Sequence, residues 1–185
     1  MSLFWGICIV LFGLNIGAGA FRFDLFPDVI GWILISDGIE NIFFSDPQRE
    51  KTLRIIRYME VLSLLQMIVG VSGLSDYVNE AVIYNSYQVI SVFQAFFNVI
   101  VLNYILKRFE KIERDNAKYW NASSVLRTFR IFSIVYILMI LLYPVFAYFD
   151  NVLCVVVSIL IVIICAILFL IDLYQTCYWW LNDHA

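Results

Sequence analysis

Histidine, paired cysteines and charged residues are scarce in this sequence. The 185 residues include one histidine, His184, and only 15% are charged. With a single histidine, histidine-based catalysis and haem ligation are not expected. The four cysteines form no C-x-x-C pair, so we expect neither a disulfide framework nor a zinc site. We therefore predict no metal and no cofactor.

Common enzyme motifs are also missing from the sequence. It contains neither H-E-x-x-H nor G-x-S-x-G. Asp37-Gly38 matches the start of the motif of membrane phosphatidyl-group transferases, but the rest of that motif is absent. We therefore predict no catalytic residue, and an intramembrane enzyme that uses Asp37 and Glu40 as paired carboxylates stays an alternative.

Apolar residues, in contrast, are abundant. They make up 63% of the chain, whereas soluble domains are roughly half apolar. A soluble fold has no means of hiding so much apolar surface, so the expected solvent is a lipid bilayer. The basic residues cluster between apolar runs, which is typical of membrane orientation rather than nucleic-acid binding.

The apolar runs predict an all-α fold, a polytopic membrane bundle of six transmembrane helices in one domain over residues 1–185. The predicted spans are residues 3–20, 25–44, 58–74, 81–106, 131–149 and 152–174. Each is about long enough for a hydrocarbon core of about 30 Å, at about 1.5 Å per helical residue. In the alternative fold, residues 25–44 form a re-entrant or interfacial helix and five helices span.

Basic residues predict the orientation. The segments 45–57 and 107–130 carry all but one of the 12 lysines and arginines. The positive-inside rule places both in the cytoplasm, together with the C-terminus, in a plasma (inner) membrane. The N-terminus is cytoplasmic in the six-helix fold. The remaining basic residue, Arg22, is external there and cytoplasmic in the five-helix alternative.

An acidic stretch interrupts the apolar pattern near the start of the chain. Asp24 and Asp28 flank Pro27, which is typical of a helix start, where negative charge is favoured. Asp37 and Glu40 come later in the same apolar segment. Ionisable residues within a bilayer usually serve function, so we predict that these two bind an ion or ligand. In a simpler interpretation they lie near the cytoplasmic interface.

A stripe of amide and hydroxyl side chains follows two later apolar runs at helical spacing. Its members are Ser63, Gln66, Gln88, Ser91, Gln94 and Asn98. Such side chains either hydrogen-bond helices together or line a polar cavity. The full set of predicted ligand- or ion-binding residues is Asp37, Glu40, Glu60, Gln66, Gln88, Gln94 and Asn98.

Glycines predict close helix packing. Gly6, Gly13 and Gly17 fall on one face of the first predicted helix, and Gly31 and Gly38 on one face of the second. Small residues let helix backbones approach each other. Two surfaces are candidates for a protein partner: the Gly13/Gly17 face and the basic segment 107–130.

The segment Asp24-Leu25-Phe26-Pro27-Asp28-Val29-Ile30-Gly31 resembles a D-L-x-P-D-x-I-G signature of multi-pass membrane proteins from Gram-positive bacteria. The match covers about a dozen residues; it implies a bacterial origin and no particular activity. The helix count and the small residues of the first helix are also similar to substrate-binding components of energy-coupling-factor transporters. In those proteins such residues contact a transmembrane partner, which Gly13 and Gly17 would do here.

These observations favour a membrane protein that transports or binds a small solute or ion, alone or as a subunit of a larger complex. The first alternative is an accessory or scaffold membrane protein without transport activity. The second is the intramembrane enzyme. A shared polar cavity favours the first function, and a stoichiometric protein partner favours the scaffold.

Overall fold

A computed structural model describes residues 1–12, 15–18, 21–24, 28–44, 46–71, 80–116, 119–148 and 152–183. In this part of the chain, six helices and one two-stranded hairpin are present. Their bounds are α1 Ser2–Phe12, β1 Asn15–Ala18, β2 Phe21–Asp24, α2 Asp28–Ile42, α3 Arg49–Val71, α4 Glu80–Asp115, α5 Ala122–Tyr148 and α6 Val152–Asp183. The predicted helical class is confirmed, with the short hairpin as an addition.

Local sequence explains where α2 and α3 begin. α2 opens with Asp28, whose negative charge suits the positive end of the helix dipole. Before α3, the Asp46 carboxylate accepts a hydrogen bond from the Gln48 backbone N–H at 3.0 Å. The Asp46 carbonyl accepts another from the Arg49 N–H. Asp46 therefore caps backbone groups at the N-terminus of α3 that have no partner within the helix.

Residues Met1–Leu102 form one compact unit, in which α1 packs on α2 through glycines. A Cβ placed on Gly6 would lie 2.6 Å from the Gly31 carbonyl oxygen. A Cβ on Gly38 would lie 2.6 Å from the Leu3 Cβ. Because both distances are shorter than any real carbon contact, the two backbones touch only where a side chain is missing.

The same unit buries one face of α2 and one face of α3. Trp32, Ile35 and Ile39 are fully buried along α2, at the three- and four-residue steps of one helical face. Ile56 and Met59 form the matching buried face of α3, which packs against α2. A polar side chain that continues one of these buried faces therefore lies within an apolar core.

Residues Asn103–Ala185 form a second compact unit, in which α5 packs along α6. Its core is aromatic. The rings of Phe129 and Phe169 lie 5.2 Å apart, and those of Phe132 and Phe169 lie 6.0 Å apart and stacked. All three side chains are buried, so this cluster fixes the pairing of the two helices.

The first predicted span, residues 3–20, is not one helix. α1 ends at Phe12, and Asn15–Ala18 pairs antiparallel with Phe21–Asp24, with Ile16 opposite Phe23. Glycine costs about 1 kcal/mol relative to alanine inside a helix, and this segment contains Gly13, Gly17 and Gly19. The helix therefore stops early, and Gly17 lies in a strand rather than on a helical face with Gly6.

The six-span count is not confirmed. Within the described residues, three stretches are long and apolar enough to cross a membrane: Val92–Asp115, Ala122–Leu142 and Val156–Asp183. In the third, only 17% of the most apolar window is buried within the protein, so most of its surface is apolar and uncovered. α2 has 15 residues, about 22 Å of helix, which is shorter than the bilayer core.

The two basic segments are largely helical. α3 begins at Arg49 within the predicted loop 45–57. In segment 107–130, α4 continues to Asp115, and Arg114 pairs with Glu110 at 3.3 Å, as their four-residue spacing predicts. The charged ends of these helices are thus continuous with their apolar parts.

Candidate binding site

Three side chains from three helices form a hydrogen-bonded group in the first unit, which we name the polar cluster: Asp28, Ser63 and Gln94. The Gln94 Nε2 donates to the Asp28 Oδ2 at 3.1 Å and to the Ser63 Oγ at 3.4 Å. One amide group therefore bridges a carboxylate and a hydroxyl.

Helix geometry explains how these residues come together. Asp28 is the first residue of α2, and Ser63 continues the buried face of α3 four residues after Met59. Ser63 is only 4% exposed, so its hydroxyl lies in the core and needs a hydrogen-bond partner. Gln94 of α4 supplies that partner from the apolar stretch that begins at Val92.

Each helix of the polar cluster carries a further buried polar atom one turn along. Trp32 follows Asp28 by four residues, Gln66 follows Ser63 by three, and Asn98 follows Gln94 by four. The Trp32 Nε1, the Gln66 Oε1 and the Asn98 Oδ1 are buried and have no hydrogen-bond partner. Leaving such an atom without a partner costs about 1–3 kcal/mol, so each of these three positions would be stabilised by a hydrogen-bond partner of its own.

The chemistry of this region is rich in acceptors. Asp28 contributes a carboxylate, and the Gln66 Oε1 and the Asn98 Oδ1 are amide oxygens without a donor. The indole Nε1 of Trp32, on α2, is a buried donor without a partner. Among the described residues, no three His, Cys, Asp or Glu side chains are placed to hold a metal ion.

The structure divides the predicted ligand residues. Gln94 belongs to the polar cluster, and Gln66 and Asn98 lie one turn from it. Asp37 and Glu40 lie on the exposed side of α2, where the Asp37 carbonyl accepts a hydrogen bond from Asn41.

The remaining predicted residues lie elsewhere. Glu60 is half-buried on α3, and Gln88 lies in α4 in a stretch whose side chains are outside the described part of the chain. Of the predicted packing glycines, Gly6, Gly31 and Gly38 lie at the contact of α1 and α2, and Gly13 lies outside the described residues.

Sequence reasoning left Asp28 and Ser63 out of the predicted site. Asp28 was assigned to the start of a helix, which is where it lies, but its carboxylate also accepts from Gln94. Ser63 belonged to the predicted stripe of hydroxyls and amides. Ser63 could have been identified by its spacing, because it follows Met59 by four residues on the buried face of α3.

A second polar group, in the second unit, holds the start of α5; we name it the carboxylate anchor, formed by Glu113, Asp172 and Asp183. The Glu113 Oε1 accepts from the Asn121 N–H at 2.6 Å, and its Oε2 accepts from the Ala122 N–H at 3.0 Å. Asp172 accepts from the Ser124 hydroxyl at 2.9 Å. Glu113 thus accepts backbone N–H groups at the N-terminus of α5, where negative charge is favoured, and Asp172 accepts from a side chain in the first turn of α5.

The third contact of the carboxylate anchor gives a simple prediction. The Trp120 Nε1 donates to the Asp183 Oδ2 at 2.6 Å, and the Trp120 ring stacks on Phe109 at 5.9 Å. Trp120→Phe keeps an aromatic ring but loses the donor. We expect it to lower the free energy of unfolding by about 1 kcal/mol, measured by SDS-induced unfolding in mild detergent. Trp179→Phe, at an exposed tryptophan of α6, is the control; an equal loss in both variants would contradict the assignment.

Comparison of the chain with known protein families, with curated proteins and with solved structures gives no match. The class of the protein is therefore defined only by its fold and its surface. This is a helical protein with three helices in its described part that are long and apolar enough to span a membrane. Their exposed apolar faces suit contact with a lipid bilayer.

Proposed function

We propose that the protein is a multi-pass protein of a bacterial plasma membrane that binds a small polar solute or ion at the polar cluster. Transport, alone or as a subunit of a larger complex, is the activity that such a site would serve. The observation that supports this proposal best is the Gln94 amide, which joins Asp28 and Ser63 within an otherwise apolar helical core.

Burial supports the proposal further. Ser63 is 4% exposed and Asn98 is 6% exposed, so the polar side chains lie where a solute would be shielded from lipid. Carboxylates and amides inside membrane proteins usually face the protein interior and mark substrate or ion pathways. Because lysine and arginine are concentrated there, the positive-inside rule favours a cytoplasmic location for the basic ends of α3, α4 and α5.

The test is ligand retention by variants of the polar cluster. Wild-type protein purified in mild detergent is analysed by native mass spectrometry for a retained small molecule. We expect a retained species in the wild type and at least a tenfold loss in Gln94→Leu, because leucine bridges neither Asp28 nor Ser63. Size-exclusion chromatography first establishes that the variant is folded.

The matched control is Gln175→Leu, which makes the same change at an exposed glutamine of α6. It is expected to retain the species at the wild-type level. A wild-type protein that carries no small molecule, and whose stability no polar solute changes, would contradict the proposed function.

A further inference from the structure

We propose that the exposed face of α3 binds an acidic phospholipid, with the headgroup phosphate at Lys51 and Arg54 and the acyl chains along the apolar residues that follow. We name this surface the α3 lipid face: Lys51, Arg54, Tyr58, Val61, Leu65 and Ile68. The inference goes beyond the proposed function, because it concerns the outer surface of α3 and not the polar cluster, which α3 joins through Ser63.

Helical spacing places these residues on one face of α3. They follow one another at steps of three and four residues, and α3 runs unbroken from Arg49 to Val71. Side chains at such steps are neighbours on a helix surface, with their Cβ atoms about 5–6 Å apart. The α3 lipid face is therefore a continuous stripe, and along it the side chains change from basic to aromatic to aliphatic.

The α3 lipid face is exposed, whereas the opposite face of α3 is packed. From Tyr58 to Ile68 the members of the stripe are between 52% and 64% exposed. In contrast, Ile56 and Met59 are buried on the face that packs against α2. An exposed apolar stripe beside charged residues is typical of a surface that contacts a membrane or another apolar partner. Acyl chains are such a partner.

The apolar part of α3 has the height of one lipid leaflet. The residues from Val61 to Val71 are uncharged. They span about 15 Å at about 1.5 Å per helical residue, and the hydrocarbon core of a bilayer is about 30 Å thick. Tyr58 lies three residues before Val61, and tyrosine is enriched at the membrane–water interface. The basic residues that precede Tyr58 therefore fall at the level of the lipid headgroups.

Two cations at the basic end of the α3 lipid face are available to a ligand. Among the described residues, neither Lys51 nor Arg54 forms an ion pair or a side-chain hydrogen bond, although Glu50 is exposed beside them. Arg57, in contrast, is close enough to the half-buried Glu60 for their charges to interact. The phosphate of an acidic lipid supplies hydrogen-bond acceptors and a net negative charge to the two available side chains.

The continuity of basic and apolar surface selects a lipid as the occupant. A free anion would use the basic end alone, and a soluble acidic protein would leave the aliphatic side chains uncovered. An acidic phospholipid has a charged part and an apolar part in one molecule, in the order in which α3 presents their complements. Lysine and arginine at a membrane surface attract acidic lipids, and each contributes about a fivefold increase in binding.

The experiment is a competition between phosphatidylglycerol and phosphatidylcholine with identical acyl chains, for the full chain in mild detergent. Native mass spectrometry counts the bound molecules of each, and identical chains make their ratio report on the headgroup. We expect wild-type protein to prefer phosphatidylglycerol by at least about tenfold, and the double variant Lys51→Gln, Arg54→Gln to lose at least about fivefold of that preference. Equal retention of the two lipids by the wild type would overturn the inference.

The matched control is the double variant Lys111→Gln, Arg114→Gln. It removes the same two residue types at the same three-residue spacing from exposed positions of α4, where Arg114 already pairs with Glu110 at 3.3 Å. It should keep the wild-type preference within about twofold, because the attraction of a lysine or arginine for lipid falls off within a Debye length. An equal loss in both double variants would assign the preference to net charge and overturn the inference.

Further measurements keep the test decisive. If the double variant of α3 does not fold, Arg54→Gln takes its place, with Arg114→Gln as its control. Inorganic phosphate added in excess should not displace the lipid, because it makes no contact with the aliphatic part of the stripe; displacement would show that only an anion site is present. These substitutions leave the polar cluster intact, so the lipid preference and the retention of a solute are lost independently.

Discussion

Replacing Glu113 by alanine is expected to lower the free energy of unfolding by about 3 kcal/mol. The side chain is 9% exposed, and its two oxygens accept the Asn121 and Ala122 backbone N–H groups at 2.6 and 3.0 Å. Hydrogen bonds to a charged partner contribute about 1.5–3 kcal/mol each, and alanine would leave both donors without a partner. Asn121 also has a positive φ of 70°, a conformation that the Glu113 contact helps to hold.

Glu113→Gln sharpens this prediction. Glutamine keeps one acceptor oxygen but presents an NH₂ group to one of the two N–H donors, so about half of the loss is expected. The control is Glu110→Ala on the same helix. The side chain of its ion-pair partner Arg114 is 74% exposed, and ion pairs at this four-residue helical spacing contribute about 0.3–0.5 kcal/mol.

SDS-induced unfolding gives the stabilities of these variants, and hydrogen exchange at residues 121 and 122 tests the mechanism. Exchange at both amides should accelerate in Glu113→Ala and stay at the wild-type rate in Glu110→Ala. Equal stability losses at positions 110 and 113 would show that Glu113 does not cap α5.

Replacing Gly38 by alanine is expected to destabilise the protein by about 2–3 kcal/mol, although alanine is the better helix former. The new Cβ would lie 2.6 Å from the Leu3 Cβ, 2.7 Å from the Leu3 backbone N and 2.8 Å from its Cα. No rotamer change moves these atoms, so α1 must shift away from α2. The gain in helix propensity, about 1 kcal/mol, offsets only part of that cost.

Substitutions of increasing size at position 38 test whether steric overlap with Leu3 causes the loss of stability. Gly38→Leu should be worse than Gly38→Ala, because a larger side chain separates the helices further. Ser36→Ala, on the same helix, should change the free energy of unfolding by less than about 0.5 kcal/mol. If Gly38→Ala matches or exceeds the wild-type stability, α1 and α2 do not pack through this glycine.

Much of the secondary structure follows from the sequence, because hydrophobic content and helix spacing are local properties. The long apolar runs predicted helices, and α5 and α6 are long and apolar enough to span a membrane. The four-residue spacing of Glu110 and Arg114 predicted their ion pair. The predicted first helix was too long because Gly13 and Gly17 were interpreted as packing residues of a helix, whereas Asn15–Ala18 forms a strand.

The candidate site was harder to predict. Asp37 and Glu40 drew attention because they are ionisable residues in an apolar segment, yet both lie on the exposed side of α2. Asp28 had a sufficient local explanation as a helix start, and nothing in its neighbourhood pointed to Gln94, which lies 66 residues away. A stripe of amides identifies a polar helix face without showing which residue on another helix it meets.

The sequence by itself determined that this chain is helical and largely apolar, because composition and periodicity act within each helix. The tertiary structure decided which polar groups meet. The bond from Gln94 to Asp28 and Ser63 depends on how α2, α3 and α4 are rotated about their axes. Glu113 caps α5 only because the end of α4 lies against its first residues. These contacts result from the packing of buried faces, and no local pattern encodes the helix rotation that produces them.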